Sequence, residues 1–293
     1  MKLVRYGNAG EERPGVLLED EVILDVRAAV FDIEDYDAHF FSHYGIARLE
    51  SLVREKPGRT VRRDEVRLGP PVARPGKIIA VGENYADHAA EFGRPPPPEP
   101  ILFSKPASAL AGPEDLLKLP GKPAEIDAEV ELAMVIGARA KNVPAAEAHN
   151  CIAGWTILND LTDRRAQRTC SQWFAAKGHD GFAPLGPFLL TRDELPCTPE
   201  LDLASELNGA RMQSGNTRTM IFPPDRLIEY ITLDRGITLE PGDVIATGTP
   251  PGIGAAQDPP RPLAEGDEMV LRIEGLGEQR LKTAAATPQS PRT

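Results

Sequence analysis

Glu129 and Glu131 stand two residues apart in Ile126-Asp127-Ala128-Glu129-Val130-Glu131-Leu132-Ala133-Met134-Val135-Ile136-Gly137. In a strand, residues two apart share a face, so both carboxylates point one way while Val130, Leu132, Met134 and Ile136 fill the other. Two anions beside an apolar run repel one another and resist desolvation, and a cation relieves both. A third acid, Asp160, ends a second largely apolar run, Gly154-Trp155-Thr156-Ile157-Leu158-Asn159-Asp160. Three hard oxygen donors without Cys or His suit Mg²⁺ or Mn²⁺, which keep positions for water and substrate. The spacing leaves a second reading open, a solvated strand face whose acids pair with Lys or Arg.

A second pair of candidates lies in Lys77-Ile78-Ile79-Ala80-Val81-Gly82-Glu83-Asn84-Tyr85-Ala86-Asp87-His88-Ala89-Ala90-Glu91. The pattern is a buried strand, a turn and a short helix that Gly93 and the prolines 95 to 98 terminate. On that helix His88 and Glu91 are i, i+3 neighbours, so their side chains meet on one face. A carboxylate holding an imidazole fixes its tautomer and raises its basicity, which suits activation of a water. The same spacing also describes an ordinary surface pair. Pro95 to Pro98 reads as a stiff hinge beside a lid helix, the other reading being a polyproline ligand. His39 and His43 have the i, i+4 spacing of a zinc pair but lack a third ligand nearby, so they are read as bland. His149 is read as structural, and Ser171 and Cys170 have no base partner for nucleophilic catalysis.

A scaffold must carry these residues, and the sequence divides into three parts. Residues 1–70 read as a small α/β domain: short strands over Lys2 to Tyr6, Gly15 to Leu18 and Val22 to Val26, then a helix over Asp35 to Arg54. Pro70-Pro71, followed by Pro75-Gly76, marks the boundary to a second domain over 71–283. There apolar strands alternate with loops rich in Gly and Pro, and long amphipathic helices are few. This predicts a β-rich α+β core rather than a doubly wound sheet. Residues 284–293, small and polar with two prolines, are expected to form a disordered tail.

Composition narrows the function classes. Apolar residues make up 41 % of the 293, enough for a sizeable core. No apolar stretch approaches the roughly 20 residues of a membrane helix, and the first residues contain no apolar signal core. Cys151, Cys170 and Cys197 have no metal spacing and suit reduced thiols, so a soluble cytoplasmic protein is expected. A net charge of −11 argues against a nucleic-acid partner, while leaving room for a local basic pocket that takes a small anion.

Taken together, Lys77 to Glu91, Asp127 to Gly137, Asn159-Asp160 through Arg164, and Gly248-Thr249-Pro250-Pro251-Gly252-Ile253-Gly254 resemble the fumarylacetoacetate hydrolase family, in the family's order and over roughly residues 72 to 283. The resemblance implies a mixed β-sandwich roll in which Glu129, Glu131 and Asp160 bind Mg²⁺ or Mn²⁺. It places the family's His-x-x-Glu dyad on His88 and Glu91, on a helix that folds over substrate, and its active-site lysine on Lys177. Arg164 and Gln167 resemble polar residues near the bound substrate, and Thr249 the residue at the substrate's carboxylate region. Gly248 to Gly254 is no phosphate loop, because no Gly-Lys-Ser/Thr follows. Asn208 to Phe222, with Gln213, resembles a family hairpin and the strand after it, and is read as scaffold. A homodimer is expected.

The implied reaction is metal-assisted cleavage of a 2,4-diketo acid to pyruvate and a carboxylic acid, with His88 and Glu91 activating water and Lys177 opposing developing negative charge. Within the family, both ends of the chain are similar to enzymes acting on 2,4-diketo-3-deoxy sugar acids. Asp180-Gly181-Phe182-Ala183-Pro184 and Asp163-Arg164-Arg165 depart from that group's Asp-Thr-Phe-Gly-Pro and Glu-Arg-Glu, and His179 stands where relatives vary. The alternatives are a decarboxylase or isomerase of oxaloacetate-like or 2-hydroxy-diene-dioate substrates, and a metal-binding protein without turnover.

Overall fold

The apolar runs of the sequence become neighbouring strands, because only a sheet can bury strands apolar on both faces while pairing their backbone groups. The computed structural model describes residues 1–30, 32–55, 58–91, 93–121 and 124–285. One large sheet runs in the spatial order Thr60–Arg62, Val22–Asp25, Arg13–Leu17, Lys2–Tyr6, Ala183–Thr191, Ile152–Asn159, Val130–Ile136, Val244–Ala246, Ile78–Gly82 and Ile101–Lys105. Neighbours are antiparallel except Val244–Ala246 beside Ile78–Gly82, which is parallel. A second sheet of five strands contains the hairpin Asp202–Leu207 and Ala210–Asn216, then Glu268–Ile273 and Gly277–Ala284, with Leu117–Lys118 at its edge. The result is the strand-rich α+β architecture expected.

Two cores flank the large sheet. Val130, Leu132, Met134 and Ile136 join Leu203, Met269, Leu271 and Leu281 of the five-stranded sheet in one. Ala133, Val135, Leu158 and Leu185 join Tyr36, Phe40, Phe41 and Leu49 in the other. The alternation of the Val130–Ile136 strand therefore separates two packed layers, and Glu131 lies on the same face as Ala133 and Val135.

Three expectations change. The helix over Asp35 to Arg54 is two helices, Ala38–Ser42 and Gly45–Glu55, because Tyr44 adopts a left-handed φ of 59°. In the hairpin and strand expected over 208–222, Asn208-Gly209 is the turn and Ala210–Asn216 the strand after it, but a turn of 3₁₀ helix at Thr217–Thr219 ends that strand before Phe222. Ala284 closes a strand rather than opening a tail, and the rest of that segment, 286–293, lies outside the described residues. At the proposed boundary, Lys2 and Leu3 pair with Leu190 and Leu189, so the N-terminal strands and the later ones share one sheet.

Candidate active site

Four adjacent strands end at the same edge of the large sheet, and their ends build the site. Val130 pairs with Asn159, and Asp160 N–H donates to Glu129 O at 2.9 Å, so Asp160 arrives beside Glu129. Ala133 pairs with Ala246 on the other side, and the chain after Ala246 crosses above Glu131. There Gly248 N–H donates to Glu131 Oε2 at 2.8 Å and Thr249 Oγ1 to Val130 O at 2.9 Å. The strand Ile78–Gly82 leads into the helix Ala86–Glu91 at the same edge. Asn84 fixes the base of that helix, donating to Thr247 O and Phe222 O and accepting from Phe222 N–H.

Glu129, Glu131 and Asp160 are buried, each offering a carboxylate oxygen within 4.8 Å of the others. Lys177 Nζ bridges Glu129 Oε2 at 2.8 Å and Asp160 Oδ2 at 2.5 Å. Lys105 Nζ holds the other Asp160 oxygen at 2.5 Å. Arg164 donates to Glu129 Oε1, to Asp127 Oδ2 at 3.0 Å and to Gln167 Oε1 at 3.1 Å. His88 Nδ1 lies 3.0 Å from Glu91 Oε2, and Glu91 Oε1 accepts Gly252 N–H at 2.8 Å. A cavity of about 490 Å³ is lined by His88, the three carboxylates, Arg164, Gln167, Lys177 and Thr249. Eight of the nine residues singled out from sequence thus face one space, and Glu91 stands behind His88. The Thr249 hydroxyl also accepts from Gln213 Nε2 at 2.7 Å, so Gln213, read as scaffold, positions a pocket residue.

The charges sort unequally. Burial alone would raise the Glu129 carboxyl, but Arg164 and Lys177 override it and hold it below the ordinary range. Glu131 moves the opposite way: burial raises it well above that range, and Asp160 and Glu129 push further. Burial acts to lower the Lys177 ammonium, yet Asp160 and Glu129 outweigh it. For Lys105 burial wins over Asp160 and lowers it. Buried Asp127, Glu129, Glu131 and Asp160 share three buried bases, Lys105, Arg164 and Lys177, and Glu131 is the carboxyl left over. Glu131 pairs with no cation among the described residues, having instead the Gly248 N–H. An all-carboxylate donor set in which one buried carboxyl has no basic partner fits a hard divalent cation, which would displace that carboxyl's proton.

Sequence reasoning missed Lys105 and Asp127. Lys105 has a signal, since alternation in Ile101-Leu102-Phe103-Ser104-Lys105 puts it on the face of Phe103, which lines the cavity. Asp127 was visible only as a residue of the metal strand's approach; its partners Arg164, Gly254 and Ala255 are remote in sequence.

The family pattern described as fumarylacetoacetate (FAA) hydrolase C-terminal matches residues 77–283. The chain belongs to the fumarylacetoacetate hydrolase family. A Burkholderia multivorans protein, provisionally named a hydrolase, is 46 % identical over 98 % of this chain and 100 % of its own. The crystal structure of 2-hydroxyhepta-2,4-diene-1,7-dioate isomerase from Mycobacterium marinum is similar with a TM-score of 0.76 and 31 % identity, over 97 % of this chain and 98 % of that one. That of maleylpyruvate hydrolase from Sphingobium sp. SYK-6, in complex with manganese(II) and pyruvate, is similar with a TM-score of 0.78 and 29 % identity, over 98 % and 100 %. Among the described residues no helix is long and apolar enough to cross a membrane.

Proposed function

We propose that the protein is a Mg²⁺- or Mn²⁺-dependent hydrolase that cleaves the C3–C4 bond of a 2,4-diketo acid, releasing pyruvate and a carboxylic acid. The observation that carries this reading is the convergence of the carboxylate triad and the His88–Glu91 pair on one cavity. The likeness to a maleylpyruvate hydrolase whose structure holds manganese and pyruvate supports it. Glu129, Glu131 and Asp160 would hold the cation, which when bound supplies a Lewis acid that draws electrons from an α-keto acid.

The chain's own residues do the rest. With its Nδ1 proton on Glu91, His88 presents Nε2 as a base. It takes a proton from water, whose oxygen attacks C4. The C3–C4 bonding pair then passes to C3, where the proton from His88 completes the methyl group of pyruvate. The Lys177 ammonium opposes negative charge on oxygen as it develops. Arg164, Gln167 and Thr249 border and orient the acid, and the helix Ala86–Glu91 keeps bulk water out. A panel of acylpyruvates, assayed for pyruvate with chelator, Mg²⁺ and Mn²⁺, tests this. Metal-dependent release is expected, and no release from any acylpyruvate overturns it. The likeness to a dienedioate isomerase favours a second reading, proton transfer between carbons without water attack. It predicts an absorbance change with 2-hydroxy-diene-dioates and no pyruvate.

A further inference from the structure

The glycine-rich loop gives backbone N–H groups to acids from three different parts of the pocket. Gly248 donates to Glu131 at 2.8 Å and Gly252 to Glu91 at 2.8 Å, while Gly254 and Ala255 donate to Asp127 at 2.8 and 2.9 Å. Asp127 is only 4 % exposed. Besides those two N–H groups it accepts its neighbour Ala128 N–H at 3.0 Å and Arg164 Nε at 3.0 Å. A carboxylate with three N–H donors and a guanidinium is a structural junction, since each charge-assisted bond fixes a direction as well as a distance. The approach depends on glycine: a Cβ at Gly254 would stand 2.7 Å from Asp127 Oδ1 and 2.4 Å from Arg261 O.

A single loop residue, Ile253, separates the donor to Glu91 from the first donor to Asp127. Glu91 fastens the helix that carries His88, and Asp127 fastens Arg164, whose other branches reach Glu129 and Gln167. The other acid that Arg164 reaches is Glu129, and that carboxylate is shared with Lys177. Asp127 is therefore the bond that ties Arg164 to the loop and not merely to the triad.

We propose that Asp127 is a positioning residue that couples the docking of the His88 helix to the orientation of Arg164, with the segment Gly252–Ala255 as the connection. Only the kinetic part of the test rests on the hydrolase reading. Asp127→Asn keeps the shape but turns an amide NH₂ toward the Ala255 N–H or Arg164, and Asp127→Glu keeps the charge on a longer arm. Hydrogen exchange is measured on the chain without added ligand, and kcat and KM for an acylpyruvate with Mn²⁺. In Asp127→Asn, exchange is expected to rise about tenfold in Gly252–Ala255 and to rise in Ala86–Glu91 with it. KM is expected to rise about tenfold while kcat falls less, and Asp127→Glu to recover most of that KM. Faster exchange confined to Gly254 and Ala255, with the helix unchanged, overturns the coupling. A KM equal to wild type in Asp127→Asn overturns the positioning of Arg164. Should Asp127→Asn not fold, Asp127→Glu decides the coupling by the same exchange criterion. A wild-type protein that releases no pyruvate overturns the hydrolase reading alone, since the exchange result stands without it.

Discussion

Two networks of charge hold this protein together, one half-buried and one buried, and they are built differently. Near the N-terminus Arg5 grips Asp35 with two parallel bonds of 2.6 and 2.9 Å, and Arg67 grips Asp115 with two of 2.6 Å. Glu12 joins the two guanidiniums, and Arg5 also donates to Pro70 O. In the pocket, the links to Asp160 are lysine ammoniums, and Glu131 forms no ion pair among the described residues. A guanidinium fork fixes both partners in a plane, whereas an ammonium is a point charge on a flexible stem. The first network is a clasp; the second can exchange one cation for another. A paired network of charge does not by itself mark a metal site; a buried cluster with one carboxyl left without a basic partner does.

The largest effect should come from Glu131→Gln, which removes the carboxyl that has no basic partner. Metal-dependent pyruvate release should fall by ~10³-fold or more, given the several kcal/mol a catalytic cation contributes. The rise in Tm that Mn²⁺ gives the wild type should vanish with it. Full activity in that variant would remove the distinction between the two networks.

Breaking the clasp should read out differently. Arg5→Ala leaves half-buried Asp35 without its guanidinium, while Glu12 keeps Arg67, and should destabilise the fold by ~3 kcal/mol in denaturant titration. Its kcat, measured where the variant is fully folded, should match wild type. A matching loss of kcat would mean the networks are not independent.

Next in size, His88→Ala should lower kcat for acylpyruvate hydrolysis by about 10²-fold with little change in KM. Decarboxylation of oxaloacetate needs no attacking water, so any such activity should survive better. Equal losses in both reactions would assign His88 to binding.

The smallest effect belongs to the N-terminal region at alkaline pH. Burial, with Asp25 beside it, pushes the Tyr6 phenol from 10.0 up to about 12. The folded chain thus keeps a proton that the unfolded chain releases above pH 10. The stabilising contribution is whole below that pH and is lost as pH rises toward 12. The Tm of Tyr6→Phe should therefore fall less steeply than wild type over that interval, and equal slopes would refute the assignment.

Much of the site was legible because its residues sit on regular elements or just beyond their ends. Alternation placed Glu129 and Glu131 on one face, and helical spacing joined His88 to Glu91. The partners that tune those groups were not legible, because Lys105 meets Asp160 and Asp127 meets Arg164 only after strands distant in sequence have paired. The single helix expected over 35–54 failed at one residue, Tyr44, whose left-handed backbone no side-chain pattern announces. The small polar composition of 284–293 likewise concealed Ala284, which pairs with Lys118 at a sheet edge.

The pairing of Lys2 and Leu3 with Leu190 and Leu189 bears on how this chain behaves when shortened. A fragment beginning at residue 71 would present the outer backbone groups of Leu189, Leu190 and Thr191 to solvent, on a strand whose Leu189 is fully buried in the intact chain. Such a bare, greasy rim recruits whatever extended peptide is at hand, most readily another copy of itself. The first seventy residues thus act as a built-in sheath against clumping, and a trimmed catalytic portion should form soluble oligomers or precipitate where the whole chain does not.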